Sequence, residues 1–236
     1  MLHLPQVYYA PPDYESVPAG EWRGRTVVVI DVLRATSTLV TALAEGVKEV
    51  RCFREISEAR AYANGKPAVA LAGEREGVAP EGFNFGNSPR EFLGAGNRYE
   101  TVVLTTTNGT RALEAVKPAA CVVLCSFLNF SVVVDFLRKN AHGLERNFAI
   151  VCSGTGELFA LEDGLLAGAL LSELGLPHPA AKLYESCVGR LREAFYASKN
   201  GKNLRKLGLE ADIDWCLQRD KYRILPTLQE DGGISN

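Results

Sequence analysis

The sequence predicts an α/β fold: three layers, α/β/α, around a largely parallel or mixed central sheet, with a helical C-terminal region. Three observations lead there. Six short segments are apolar throughout and do not alternate, as strands covered on both faces do. Most run into a polar loop rich in small residues and then into a helix-like segment, the order expected of a mostly parallel sheet. The spacing of these units is irregular, which marks fold logic and not a tandem repeat.

Thr26–Asp31 (TVVVID) reads as the first buried strand, with Ser37–Glu45 as the helix after it. Glu49–Phe53 is a second strand, followed by helix Ile56–Asn64. Ala68–Glu74 is a third, leading into a loop punctuated by Gly and Pro. Thr101–Thr106 and helix Thr110–Val116 come next, then Cys121–Cys125 and helix Ser131–Asn140. Phe148–Cys152 is the sixth strand, and a long helix covers about Glu157–Leu174. From His178 onward the chain is more polar and helical, punctuated by Gly201, Gly208 and Pro226, with no further buried strand expected. This part reads as an appendage on the same core, so residues 1–236 are expected to form one domain.

Composition narrows the function. Of 236 residues 47% are hydrophobic and 23% charged, enough apolar surface for a sizeable core and too little charge for disorder. A net charge of -2 argues against a nucleic-acid or membrane-surface binder, which needs a basic excess. No apolar run approaches the ~20 residues of a membrane span. Met1–Gly20 lacks the basic start and apolar centre of a secretory signal, so a cytoplasmic location is expected. The six cysteines include no C-x-x-C pair, and His3, His142 and His178 are scattered. Buried free thiols are expected and a zinc site is not.

In open α/β sheets ligands sit beyond the carboxyl ends of the strands. Four loops there carry unusual polar content. In the first, Asp31 ends a strand, Arg34 follows, and Thr36, Ser37 and Thr38 open a helix, an arrangement suited to an anion or to an ordinary ion pair and cap. In the second, Glu74 ends an apolar strand, a costly place for an unpaired charge, and the loop runs on to Asn87 and Ser88. The third, Thr105–Thr110, places Asn108 and Gly109 where amide donors and a bare backbone could cradle an oxyanion, or simply turn and cap a helix. The fourth runs from Cys152 to Glu162 and Asp163. Their three- and four-residue spacing from Leu158, Phe159, Leu165 and Leu166 brings both acids to the apolar side of the helix. Acids there need a strong partner, which Mg²⁺ or the helix dipole could supply.

Together DVLRATST, GE and GNSP, TTTNGT, SFLN at Ser126–Asn129, and CSGTGE followed by LED resemble the 2-phosphosulfolactate phosphatase family, the ComB-like proteins. The ordered set spans about Thr26 to Gly168 and extends to Ala197–Gly208. The resemblance implies a Mg²⁺-dependent acid phosphatase. Its reaction converts 2-phospho-3-sulfolactate to 3-sulfolactate and phosphate, a step towards coenzyme M in methanogens. The family also occurs in bacteria with no expected need for coenzyme M, so the reaction type transfers better than the substrate.

By resemblance, Asp31, Glu74, Glu162 and Asp163 form the metal-binding and acid/base group. Arg34, Thr36, Ser37, Asn108, Gly109 and Thr110 hold phosphate and substrate, with Asn87, Ser88 and Asn129 as further contacts. Asp31, Arg34, Glu74 and Asn108 are the expected catalytic set. Asp31 would act as general base or as covalent nucleophile, and both roles stay open. The D-x-D pair of haloacid-dehalogenase-type phosphatases is missing, because Leu33 stands two after Asp31. A C-x₅-R phosphocysteine loop is missing too, because Leu158 stands where the arginine would. The partner expected is a small phosphorylated acid, and a homodimer is left open. A non-catalytic module binding a phospho- or sulfo-acid is the competing class, and transfer to an acceptor other than water is a third.

Overall fold

The structure, a computed structural model, describes residues 4–140 and 148–236. His3 and His142 lie outside them. Nine strands are present among these residues: β1 (Gln6–Tyr8), β2 (Thr26–Ile30), β3 (Glu49–Cys52), β4 (Val69–Gly73), β5 (Thr101–Thr105), β6 (Cys121–Cys125), β7 (Phe148–Cys152), β8 (Thr227–Leu228) and β9 (Gly233–Ser235). They form one sheet in the order β1-β7-β2-β6-β8-β9-β3-β5-β4. Two parallel groups, β1-β7-β2-β6 and β3-β5-β4, are joined by the antiparallel pair β8 and β9.

The six strands expected from apolar runs are present, trimmed by a residue or two at some ends. The C-terminal part departs from expectation: it supplies two strands, and they lie in the middle of the sheet. Thr227–Leu228 and Gly233–Ser235 are too short to show a pattern, and the strands they pair with make them strands. The edge strand β1, three residues long, is likewise too short to show a pattern.

The helices are α1 (Pro11–Glu15), α2 (Ala19–Trp22), α3 (Ala35–Ala44), α4 (Ile56–Ala63), α5 (Gly109–Val116), α6 (Phe130–Asn140), α7 (Leu161–Glu173), α8 (Pro179–Cys187), α9 (Leu191–Ala197), α10 (Lys199–Lys206) and α11 (Glu210–Cys216). Helix α7 starts later than the apolar spacing suggests. Thr155 and Leu158 exchange backbone hydrogen bonds of 2.8 and 3.2 Å and hold the preceding loop in a tight turn.

Strand residues divide between two cores, as the alternation of a pleated strand requires. Val27 and Val29 of β2 join Val50, Ala72, Leu104 and Val122 and pack on Leu39 and Leu43 of α3 and Leu113 and Val116 of α5. Val28 and Ile30 join Val123 and Ile150 and pack on α6 through Val133 and Leu137, and on α7 through Leu165, Leu166 and Leu170. Helices thus cover both faces, giving the three-layer α/β/α architecture. No described helix is long and apolar enough to cross a membrane.

The sheet curls. Strands lie about 4.8 Å apart, so a flat sheet would separate β2 from β5, five places along, by about 24 Å. Yet a methyl group built on Gly109, just after β5, would lie 3.0 Å from Asp31 Oδ2, just after β2. Curling brings these two loops together over the concave core.

One contact sets how closely α7 meets α8. A methyl group on Gly168 would lie 2.0 Å from the Ala180 carbonyl oxygen. Alanine gains about 1 kcal/mol of helix propensity over glycine, but overpacking against backbone typically costs about 1–3 kcal/mol. Gly168→Ala is therefore expected to lower Tm by roughly 5 °C. A Tm that rises in thermal denaturation would show that α8 yields freely.

Candidate active site

A cleft of about 490 Å³ opens at the carboxyl ends of the strands. The range for small-molecule sites is about 300–1,000 Å³. Asp31, Arg34, Glu74, Asn87 and Asn108 line it, so five of the expected residues meet there from three of the four loops.

Asp31 follows directly from β2 and is 7% exposed. Its Oδ1 accepts the Ala35 amide at 3.0 Å, which fixes the carboxylate at the start of α3. Burial, and then the charges of Glu74 and Glu162, push its pKa up to about 7, while the Ala35 hydrogen bond and Arg34 pull the other way. Gly109 is needed where it stands, because any side chain would press on Ala35 and on the Asp31 carboxylate.

Arg34 is buried and paired. Its Nη1 lies 2.7 Å from Asp212 Oδ2, and the two side chains are 4% and 1% exposed. Asp212 Oδ1 also accepts the Ser88 hydroxyl at 2.6 Å. Ser88 thus belongs to the brace that positions Arg34. The Leu33–Arg34 peptide bond is cis.

The other acids act partly as loop ties. Glu74 Oε1 accepts the Thr107 amide and hydroxyl, both at 3.0 Å, and Oε2 accepts the Gly77 amide at 2.8 Å. Asp163 accepts the Val32 amide at 2.8 Å and the Gly154 amide at 3.2 Å, joining the loops after β2 and β7. Burial and the charges of Asp31 and Glu162 hold the Asp163 carboxyl well above its ordinary range. Glu162 Oε1 accepts the Asn200 amide at 2.6 Å, and burial raises its pKa. Both helix acids are buried, as their spacing predicts. For Asp163 the compensating partners are two backbone amides. Among the described residues no three His, Cys, Asp or Glu side chains converge as metal ligands would. The four acids do not form one cage.

Several expected contacts lie beneath the cleft. The Thr36 hydroxyl donates to the Asp31 carbonyl at 2.8 Å and the Ser37 hydroxyl to Val32 at 2.9 Å, so both serve the loop backbone. Thr110 faces Thr106, with 3.3 Å between their hydroxyl oxygens. Asn129 is fully buried and turned away, donating to the carbonyls of Leu124 and Ile224 while accepting the Ser126 amide. Asn108 does not cap its own helix; its Oδ1 takes the Gly156 amide at 3.1 Å and ties the third loop to the fourth. Asn87 is 6% exposed, and its buried Oδ1 has no partner.

Cys152, six residues before Leu158, is a buried free thiol whose pKa is raised well above the ordinary value, first by burial. Cys125 and Cys216 are buried free thiols as well.

The model of the 2-phosphosulpholactate phosphatase family matches residues 13–231 of this chain. The chain belongs to this family. A probable 2-phosphosulfolactate phosphatase of Thermotoga maritima is 39% identical over 222 residues, 92% of this chain and 94% of that protein. Its counterpart in Symbiobacterium thermophilum is 38% identical over 225 residues, 90% and 95% of the two chains. That of Gloeobacter violaceus is 36% identical over 227 residues, 93% of each. The 2-phosphosulfolactate phosphatase family is one of phosphoric monoester hydrolases, and the resemblance read from the loops is borne out.

In this family member the cleft has a wall that the loop motifs do not contain. Lys199, Asn200, Asn203 and Lys206 of α10 line it, and Asp212 of α11 holds Arg34. Helices that read as an appendage thus complete the cleft. Their signal in the sequence was the spacing of Lys199, Asn203 and Lys206, which puts all three on one stripe.

Proposed function

We propose that this chain hydrolyses 2-phosphosulfolactate, or a phospho-hydroxyacid of the same charge pattern, to the hydroxyacid and phosphate with the help of Mg²⁺. The observation that carries the reading is Asp31: a buried carboxylate on the cleft wall, with proton affinity raised into the neutral range, near a braced arginine. A site for anion binding alone gains nothing from such an acid.

In this reading the phosphoryl group sits between Asp31 and Arg34. Arg34, held by Asp212, opposes the charge that spreads over the phosphoryl oxygens. Asn108 and the amides opening α5 donate to the same oxygens. Asp31 takes the proton of the attacking water. The donor chemistry suits Mg²⁺: the charges of Glu74 and Glu162 fall on Asp31, and hard oxygens with few protein ligands are what this ion accepts. Glu74 and Glu162 would hold it, and when bound it supplies positive charge beside the phosphoryl oxygens.

The test is phosphate release from 2-phosphosulfolactate and 2-phospholactate with Mg²⁺ and with chelator. Release stimulated by Mg²⁺ is expected. Mg²⁺ alone is expected to raise Tm by a few degrees, and by less in Glu162→Gln. Clear substrate binding by thermal shift with no phosphate released would replace this reading with a binding module. Isotope from labelled water in the Asp31 carboxylate after one turnover would replace direct water attack with a phospho-enzyme.

A further inference from the structure

A phospho-hydroxyacid brings a carboxylate into the cleft beside its phosphate, and 2-phosphosulfolactate brings a sulfonate as well. The loop motifs provide one cation, Arg34, and its charge is met by Asp212 at 2.7 Å. The remaining cationic side chains on the cleft lining are Lys199 and Lys206. Neither makes an ion pair or side-chain hydrogen bond among the described residues. Helix α10 carries four cations and no acid in its eight residues, KNGKNLRK. Its neighbours along the stripe at Lys199, Asn203 and Lys206 all line the cleft, whereas Lys202 and Arg205 do not. The helix is seated by the Ser198 hydroxyl, which accepts the Gly201 amide at 3.0 Å. It is tied to the acidic side by Asn200, which donates to both Glu162 and Thr155.

The cleft is therefore divided. Asp31, Glu74 and Glu76 line its acidic part, and two uncommitted lysines stand on α10. An anion without a metal is repelled by the first part and attracted by the second.

We propose that Lys199 and Lys206, with Asn203 between them, form the subsite for the carboxylate and sulfonate end of the substrate, away from its phosphate. They thereby restrict the enzyme to phosphomonoesters that carry a carboxylate or sulfonate on the same short skeleton. This rests on the hydrolase reading for its kinetics, but not for its binding test.

The full chain is compared with Lys199→Gln/Lys206→Gln on two substrates: 2-phosphosulfolactate and glycerol 2-phosphate, which has neither carboxylate nor sulfonate. The expected loss of kcat/KM on the first is about a hundredfold, at least tenfold more than on the second. Lys199→Arg/Lys206→Arg is expected to restore most of that selectivity. Lys202→Gln, on another face of α10, is expected to change neither substrate. Equal losses on both substrates, or none, would overturn the proposal.

Calorimetry with 3-sulfolactate, which has the carboxylate and the sulfonate but no phosphate, needs no turnover. Binding to the wild type and at least tenfold weaker binding to the Gln pair supports the subsite. Equal binding to both, or none to the wild type, overturns it. Absence of phosphate release from every ester alongside lysine-dependent sulfolactate binding would sink the hydrolase reading and leave the subsite standing.

Discussion

Asp31→Asn is expected to lower kcat on 2-phosphosulfolactate by about a thousandfold, the effect of losing a positioned base, while making the metal-free protein more stable. Both effects follow from one carboxylate. Asparagine can still accept the Ala35 amide, so the loop keeps its shape. It cannot take a proton from water. The stability gain has a definite pH dependence. Asp31 has an ordinary pKa of 3.8 and one of about 7 in the fold. Between those values the folded chain holds a proton that the unfolded chain has released, so stability falls as pH rises from about 4 to 7. Above 7 the penalty is complete. In chelator, the Tm advantage of the variant is therefore expected to be small at pH 4 and to reach several degrees at pH 8. An advantage that shrinks as pH rises would show that Asp31 is not a destabilising charge, and full activity would remove it from the chemistry.

Asp212→Ala is expected to cost roughly 3–5 kcal/mol, because it leaves the guanidinium of Arg34 buried without a counter-charge. That corresponds to a fall in Tm of about 10 °C. Ser88 loses its acceptor in the same step. The double variant Arg34→Met/Asp212→Leu is expected to recover much of this loss, since apolar pairs of similar size replace buried ion pairs at little cost. It is expected to stay inactive. Thermal denaturation of the two single variants and the double gives the coupling. A Tm for Asp212→Ala within 2 °C of the wild type, on the order of the scatter between surface variants, would mean that solvent reaches Arg34.

The parts legible in the sequence were those with a strong local cause. TVVVI cannot alternate between water and core, so β2 had to be buried on both faces, and it divides between two cores. Glu162 and Asp163 share the spacing of their apolar neighbours, and both are buried. The five residues that line the cleft came from loops at strand ends. What was not legible depends on distant partners. Arg34 and Asp212 are 178 residues apart, and nothing local in EADIDWC says that one acid is buried. KNGKNLRK lies in the segment to which the resemblance extends, but nothing local in it says that its Lys199, Asn203 and Lys206 face a cleft. Thr36 and Ser37 look like anion donors, but a hydroxyl beside a sharply turning backbone meets the nearest carbonyl first.

The short pair β8 and β9 has a consequence for how the molecule is assembled. Val123 faces Thr227 on one side, and Val50 and Arg51 face Ile234 and Gly233 on the other. These few rungs are all that make one sheet of two parallel halves among the described residues. Asp31 belongs to one half, and Glu74 and Asn108 to the other. During synthesis both halves can pair internally once β7 has been made, but the keystone between them comes some 75 residues later, at about the longest loop closure the chain must make. Until then the acid and the amides that should face it are carried on separate blocks. Catalytic competence should thus arrive as a late, single event in folding, with hydrogen exchange at 227–235 reporting when the blocks lock.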